Sequence, residues 1–292
     1  MNARPALTTA PRDKGAGVMA ALSIRRTYKY RLSPTRMQAD TLNGQLAEAC
    51  RLYNAALQER RDAWRMRRQS VTFYGQSEQL KDIRAAGDMG LPNFGTALDV
   101  LHRVDRAFDG FFRRVKAGQR VGYPRFQSAR RYDSITFPAY GNGCKLRATR
   151  LYLQGVGLIR VRLHRPLDGT VKAVTIKREA GRWFVSFSTV TKAQPLPVST
   201  EAIGIDVGLT YFATLSDGTQ IANPRYARRA QRHLRLAQQR VTRRGKGSHR
   251  RRKAVRLLHR AHIRVQNQRA DFHHKTSRAG SSTATGSSLL KI

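Results

Sequence analysis

The first apolar pattern along the chain is an alternation over residues 23–32. This stretch is rich in residues that favour β-structure, namely Ile24, Thr27, Tyr28, Tyr30 and Leu32. Alternation with this composition predicts a β-strand. The segment Ser33-Pro34-Thr35 then ends the strand, and Ser33 is the predicted N-cap of the helix that follows.

Two longer stretches have apolar residues spaced by three and four, the period of a helix with one buried face. The first face comprises Leu42, Leu46, Ala49, Tyr53 and Leu57. The second comprises Leu98, Leu101, Val104, Phe108, Phe111, Phe112 and Val115. Between them, residues 75–92 show a weaker pattern that predicts a helix and a loop.

The pattern returns to β-structure in the middle of the chain. Residues 158–163, 171–177 and 183–190 alternate or run β-branched, with turn sequences at 168–169 and 180–181. A strand, a helical block and then more strands indicate a small barrel interrupted by a helical insertion. Two separate folds would give the same order, and the sequence leaves both possibilities open.

A proline-marked linker at residues 194–197 precedes the last zone. An apolar run over 202–208 contains one carboxylate, Asp206, and predicted strands follow at 211–215 and 220–222 around the tight turn 217–218. Two helices come next, with a basic loop at 243–247 between them. Their predicted faces are Leu234, Ala237 and Val241 in one helix, and Val255, Leu258 and Val265 in the other.

Charge identifies the class of partner. The formal net charge is +38 on 292 residues, and such a chain gains affinity for a polyanion by releasing condensed counterions. A solvated basic surface or a disordered basic tail is the alternative. Because 40% of the residues are hydrophobic and their spacing is periodic, we expect a folded chain, long enough for two domains.

Other classes of protein are disfavoured. The two cysteines, Cys50 and Cys144, lie far apart and predict neither a disulfide framework nor a zinc site. No apolar stretch is long enough for a membrane span, and residues 1–18 lack the apolar core of a signal peptide. We therefore expect a cytoplasmic protein that has no membrane partner and no small-molecule substrate. Met19 is an alternative initiator methionine.

One short motif carries chemistry. Residues 204–208 read GIDVG, and an aspartate within a buried apolar strand is costly unless it is paired or binds a cation. A strand bearing an aspartate and followed by a hairpin is how an RNase H-like fold begins, where the aspartate lies between two divalent metals that cleave a phosphodiester. A strand-end cap or a turn former is the more frequent role of a single such residue.

Five segments together resemble the transposon-encoded TnpB (OrfB) family. They are YKYRLSPT at 28–35, RLYNAAL at 51–57, GYPRFQS at 122–128, WFVSF at 183–187, and residues 204–218 with GIDVG and ATLSDG. They occur in the family's order between about residues 24 and 278. The resemblance implies an RNA-guided DNA endonuclease, with a guide RNA and a DNA target as partners and Mg²⁺ as cofactor.

The resemblance also implies an α+β, multidomain fold: a β-barrel wedge domain interrupted by a helical recognition domain, then a partial RNase H-like (RuvC) α/β domain. The expected boundaries are a disordered arm at 1–22, the first barrel strand at 23–34, the recognition domain at 35–120, the remaining barrel at 121–197, the partial RuvC-like domain with basic helices at 198–278, and a flexible tail at 279–292. Asp206 is the expected catalytic residue and metal ligand. The candidate nucleic-acid-binding residues are Tyr30, Arg31, Arg125, Arg243, Arg244 and Lys246.

The sequence departs from the family after residue 278. The family's RuvC site has a later Glu and a further Asp, with a cysteine zinc ribbon between them. After Asp206 this sequence has no Glu and no Cys, and its last acid, Asp271, lies in a predicted helical stretch, which is the wrong context. Residues 279–292 form a low-complexity tail. If permitted codons are chosen for these residues and read in a shifted frame, they can encode a segment that resembles the family's second catalytic segment, which contains its Glu. This suggests a frameshifted, truncated copy. We therefore expect a cleavage-defective endonuclease that does not bind Mg²⁺ productively. A nuclease-dead, repressor-like RNA- or DNA-binding module and a basic structural nucleic-acid-binding protein remain alternatives.

Overall fold

A computed structural model describes residues 23–193 and 203–283, with side chains described as far as residue 277. The first sheet and its helices comprise β1 (Ser23–Ser33), α1 (Arg36–Arg67), α2 (Phe73–Ala85), α3 (Phe94–Lys116), β2 (Ser134–Phe137), β3 (Cys144–Arg147), β4 (Arg150–Leu153), β5 (Gly157–Arg162), β6 (Thr170–Glu179) and β7 (Arg182–Lys192). The remaining elements are β8 (Ile205–Asp206), β9 (Tyr211–Leu215), β10 (Gln220–Ala222), α4 (Tyr226–Thr242) and α5 (His249–Thr283).

Strand β1 is first in the chain but central in the sheet. Seven antiparallel strands form one curled sheet in the order β2-β6-β7-β1-β5-β4-β3. β1 pairs with β7 from Ser23 to Leu32, and its end also pairs with β5. The helical block is thus inserted into one β-structure, and its apolar side chains share a core with the sheet. The strands and the inserted helices therefore form one folded unit. β2 and β3 lie at the two ends of the strand order, and the expected barrel stays a prediction.

The N-cap of α1 is Thr35, so the prediction of Ser33 was wrong. The Thr35 hydroxyl accepts a hydrogen bond from the Gln38 backbone N–H at 3.3 Å, and Gln38 Oε1 accepts one from the Thr35 N–H at 3.1 Å. This capping box satisfies two backbone donors reciprocally. Gln38 also donates to the Leu158 carbonyl at 2.9 Å, which joins the start of the helix to β5.

The apolar faces predicted for the long helices are largely buried. All five residues predicted for the first face lie in the core, as do Leu101, Val104 and Phe108 of α3. The end of α3 differs, because Phe112 is 54% exposed and Val115 is also exposed. The last turns of α3 are therefore less covered than the rest of the helix.

The three predicted strands of the middle zone correspond to β5, β6 and β7. The turn between β6 and β7 is Ala180-Gly181, with φ values of 48° and 73°. Two consecutive residues in this region are what a tight type I′ hairpin requires. Strands β2, β3 and β4 were not predicted, since each is only four residues long and too short to show an alternation.

The last zone contains a three-stranded sheet in the order β10-β9-β8, then the helix pair α4 and α5. The predicted turn at 217–218 is confirmed, with Asp217 Oδ1 accepting a hydrogen bond from the Thr219 N–H at 2.8 Å. Val241 and Ala254 are buried where the helices pack, whereas Val255, predicted for this face, is exposed. The α5 backbone continues to Thr283, past the expected boundary at 278. The expected arm at 1–22, the linker at 194–197 and residues 284–292 of the tail lie outside the described residues.

Candidate nucleic-acid interface

A basic cleft lies between the seven-stranded sheet and the helix pair α4–α5. Its volume is about 750 Å³. Six arginines line it: Arg31, Arg182, Arg240, Arg244, Arg260 and Arg264. They come from β1, from the start of β7, from both helices and from the loop between the helices. The cleft is therefore assembled from segments far apart in the chain.

Helix α5 closes on the β6–β7 turn to form one wall of this basic cleft. The Arg260 guanidinium donates a hydrogen bond through Nε to the Ala180 carbonyl oxygen at 3.3 Å. A Cβ atom at Gly181 would lie 3.0 Å from Cδ of Arg256. Glycine at this turn therefore permits both its positive φ and the close approach of the helix.

Positive charge converges at the centre of the cleft. Partial burial, together with the charges of Arg182, Arg162 and Arg260, lowers the pKa of the Arg31 guanidinium. Desolvation is the larger cause of this shift, and the three like charges add to it. A phosphate group placed here would relieve that repulsion and accept several hydrogen bonds.

Glu179 is the one acidic side chain among the residues that line the cleft. Its carboxylate binds Lys29 at 2.6 Å and Lys177 at 3.5 Å. Burial alone would raise the pKa of Glu179, but the hydrogen bond and charge of Lys29, together with Lys177, lower it. Because two lysines already engage this carboxylate, the arginines of the cleft remain available to an external anion.

A second hollow of about 440 Å³ continues from the cleft along β1 and β5. It shares Arg31 with the cleft and adds Lys29 and Arg162. The two hollows together form a basic groove that is longer than either alone. A groove of this kind suits the backbone of an extended strand or duplex better than a compact metabolite.

Tyr30 is among the residues that line this second hollow, but its side chain is buried, and its role as a nucleic-acid contact stays a prediction. The residue is 1% exposed, and its ring packs against Phe187 and His164. Its hydroxyl donates to the Arg165 carbonyl at 3.1 Å. Arg31, the next residue in β1, points the opposite way because successive strand residues alternate between faces.

The basic loop predicted at 243–247 connects α4 and α5, as expected. Arg243 and Lys246 are exposed. Arg244 is half-buried: its Nη1 donates to the Arg250 carbonyl at 2.8 Å, and its own carbonyl accepts from Arg251 at 3.0 Å. Arg244 therefore braces the turn between the helices and also lines the cleft.

Arg125 is exposed but is not among the residues that line the cleft. Its segment is held by Asn54 of α1, whose Oδ1 accepts from the Gln127 N–H and whose Nδ2 donates to the Gln127 carbonyl, both at 2.8 Å. The side chain of Asn54 thus pairs with the chain as a neighbouring strand would. Asn54 was not singled out as a functional residue, although it lies in the segment RLYNAAL that resembles the family.

Asp206 lies in β8, paired with Thr214 of β9. The strand was expected to be buried, but Asp206 and Ile205 are exposed, and Val207 is 63% exposed. β8 is at the edge of the three-stranded sheet, and its side chains lie on faces that are open to solvent. Within residues 23–193 and 203–283, no group of three or more His, Cys, Asp or Glu side chains is placed to hold a metal ion. The residues around Asp206 therefore do not fit a two-metal centre by themselves.

The arginines that sequence reasoning missed are Arg182, Arg240, Arg260 and Arg264. Each is one of many arginines in the chain, and nothing local distinguishes it. Their common feature is that they face one cleft, which depends on the packing of α5 against the β6–β7 turn.

None of the helices in the described residues combines the length and apolar character needed to cross a bilayer.

Two family matches cover much of this architecture. Residues 177–280 match the OrfB family of IS605 elements, described as "Probable transposase", and this range includes most of the basic cleft. Residues 19–69 match that family's "Helix-turn-helix domain". In this structure residues 23–67 form strand β1 and the single long helix α1.

Individual relatives agree with these matches. A protein of Streptomyces pristinaespiralis named "Putative RNA-guided DNA endonuclease" is 33% identical over 266 residues, which cover 87% of this chain and 63% of that protein. "Putative RNA-guided DNA endonuclease InsQ" of Escherichia coli (strain K12) is 32% identical over 182 residues, or 61% of this chain and 43% of that protein. The chain thus spans less than two thirds of the length of each of these relatives. By sequence and by both matches, it belongs to the TnpB/OrfB family of transposon-encoded proteins.

Proposed function

We propose that this chain acts in RNA-guided DNA recognition, and that the basic cleft binds the backbone of the nucleic acid. The observation that carries the proposal is the convergence of six arginines on one cleft whose single carboxylate is engaged by lysines. Neutralising phosphates supplies affinity that does not depend on sequence. Reading of the target then falls to base pairing between a guide RNA and DNA.

The names of the relatives support this proposal, because both describe an RNA-guided DNA endonuclease. The expected division into a wedge domain at 23–34 and 121–197, a recognition domain at 35–120 and a RuvC-like domain at 198–278 is part of the proposal. In that arrangement the basic cleft lies between the wedge and RuvC-like parts. Arg31 would contact the nucleic acid from one side, and Arg260 and Arg264 from the other.

Within the same proposal, Asp206 is the residue of this chain that would ligate Mg²⁺ in phosphodiester cleavage. A metal ion of this kind supplies an activated water and stabilises the leaving oxygen. The exposed single carboxylate described above supports the further proposal that this chain cleaves DNA poorly on its own. A cutting assay with Mg²⁺, comparing the wild-type protein with Asp206→Ala, tests both parts, since robust cutting abolished by the substitution would contradict poor cleavage.

The RNA-binding part is tested by sequencing the nucleic acid that co-purifies with the protein. We expect a discrete RNA species with the wild-type chain and much less of it with the double variant Arg182→Ala/Arg264→Ala. The double variant Arg147→Ala/Arg150→Ala removes the same charge from the exposed β3–β4 turn and is the matched control. Equal loss with both double variants, or heterogeneous RNA throughout, would contradict a specific role for the cleft.

A further inference from the structure

A second cleft, lined by aromatic rings, lies in the helical block. It has a volume of about 720 Å³ and opens between the end of α1, the start of α2 and the later turns of α3. Its aromatic wall includes Trp64, Phe73, Tyr74, Phe108, Phe112 and Tyr123. The basic cleft uses none of these residues. The exposed end of the α3 apolar face belongs to this wall.

The wall is both exposed and ordered by ring contacts. Tyr74 is 80% exposed and Trp64 is 51% exposed. Behind them, Phe108 and Tyr123 meet edge to face with centroids 5.5 Å apart. A contiguous exposed apolar patch often marks a binding site. Aromatic side chains arranged in this way provide stacking surfaces for flat rings.

Arg60 borders this aromatic cleft and has an unsatisfied donor. Only 7% of its side chain is exposed. Nε donates to Gln76 Oε1 at 2.9 Å and Nη1 donates to Asp105 Oδ1 at 3.0 Å, whereas Nη2 is buried with no acceptor. Buried polar groups are nearly always hydrogen-bonded, so an orphaned one indicates a missing partner.

The Asp109 carboxylate is a hydrogen-bond acceptor on the wall of the same cleft. Asp109 lies one helical turn beyond Asp105 on the cleft wall and is exposed. Among the described residues its carboxylate has no hydrogen-bond or ion-pair partner. The cleft therefore combines a carboxylate acceptor, a buried guanidinium donor and aromatic faces.

Positive charge lies near the Trp64 edge of the cleft. The Arg68 guanidinium lies 5.8 Å from the Trp64 ring, and Arg61, Arg65 and Arg67 are exposed on the same end of α1. A ligand that carries both flat rings and negative charge matches an aromatic interior with positive charge near one edge. A single strand of nucleic acid has this combination.

We propose that this cleft binds an unpaired guanine base of an RNA strand. Guanine presents N–H donors and a carbonyl acceptor on one edge. Asp109 would accept hydrogen bonds from the N–H groups of the base. The carbonyl of the base would accept one from Nη2 of Arg60. RNA is favoured because its loops offer unpaired bases without the cost of opening a duplex. The inference rests on the proposed RNA binding but not on DNA cleavage.

The test uses short fluorescent uridine RNAs with one central guanosine, adenosine or inosine, or none, and measures affinity by anisotropy at one salt concentration. We expect guanosine to bind about tenfold tighter than adenosine, with inosine between them because it lacks the exocyclic amino group. Trp64→Ala and Tyr74→Ala should weaken guanosine binding about fivefold or more. Asp109→Asn should remove most of the preference for guanosine over adenosine. Tyr152→Ala removes an exposed aromatic ring from β4 and should change nothing.

Equal affinity for the guanosine, adenosine and all-uridine RNAs would overturn the inference, as expected if the cleft takes an apolar side chain of a protein instead. A guanine preference found only with the corresponding DNA strands would overturn the assignment to RNA. Binding of the all-uridine RNA distinguishes failure of the guanine inference from failure of the proposed RNA binding. If it binds without a guanine preference, only this inference fails; if no RNA binds, the proposed function fails as well.

Discussion

The Nε atom of Arg260 in α5 donates a hydrogen bond to the carbonyl oxygen of Ala180, in the turn between β6 and β7, at 3.3 Å. This bond joins the basic helix pair to the seven-stranded sheet. It also leaves the rest of the Arg260 guanidinium in the basic cleft, near Arg31. One side chain therefore takes part both in assembling the cleft and in its positive potential.

Replacement of Arg260 by alanine should weaken nucleic-acid binding and its dependence on salt. Loss of one phosphate contact lowers the slope of log affinity against log salt by about 0.7 for a single strand. Titrations of an unstructured RNA at several salt concentrations measure this slope. Arg150→Ala, on the β3–β4 turn outside the cleft, should leave it unchanged. An identical slope for wild type and Arg260→Ala would exclude a phosphate contact there.

Tyr30 and Arg31 should respond to substitution in opposite ways. Tyr30→Phe removes only the hydroxyl that donates to Arg165, so it should lower the free energy of unfolding by about 1 kcal/mol and leave RNA affinity unchanged. Arg31→Ala should weaken RNA binding and alter the free energy of unfolding by less than about 0.5 kcal/mol. Urea unfolding and RNA titration of both variants measure the two effects. Weaker RNA binding by Tyr30→Phe would support the role first predicted for that residue.

The capping box of α1 gives a test of local structure. Thr35→Ala removes the acceptor for the Gln38 N–H and should lower the free energy of unfolding by about 1 kcal/mol. Ser33→Ala is the matched control and should change it by less than about 0.5 kcal/mol. Chemical denaturation of the two single variants compares them directly. A larger loss for Ser33→Ala would show that the helix begins earlier than described.

The Glu179 carboxylate should make stability depend on acid pH. Its pKa is lowered in the folded protein, chiefly because the interactions with Lys29 and Lys177 outweigh burial. A lowered folded pKa stabilises the protein above the unfolded value, about 4.3 for glutamate, and this contribution is lost as pH falls through the folded pKa. The difference in free energy of unfolding between wild type and Glu179→Gln should therefore shrink as pH falls from about 6 to about 3. A difference that is constant over this range would contradict the interpretation.

Local patterns predicted most of the long elements. The spacing of Leu42, Leu46 and Leu57 indicated a helix with one buried face, because helical geometry places such residues on one side regardless of what covers them. The alternation around Tyr28 and Tyr30 indicated β1 for the same reason. Patterns of this kind cannot tell how far a covering surface extends, which is why Phe112 and Val115 were expected in the core but lie exposed.

The site was only partly predictable. Net charge indicated a polyanion as partner, and the five resembling segments indicated the family. The individual contacts stay predictions, because any of the many arginines could face the partner. Arg31 does line the cleft, whereas Tyr30 turns inward and Asp206 lies on an exposed edge strand rather than in a buried one.

The sequence by itself indicated a polyanion as partner through its composition, the family through five segments, and the position of the long helices and strands through local periodicity. Only the tertiary structure decided that β1 pairs with β7 across the helical insertion, and that α5 packs on the Ala180–Gly181 turn. These contacts join residues far apart in the chain, and their energies depend on packing that no local pattern records. They bring Arg31, Arg182 and Arg260 into one cleft.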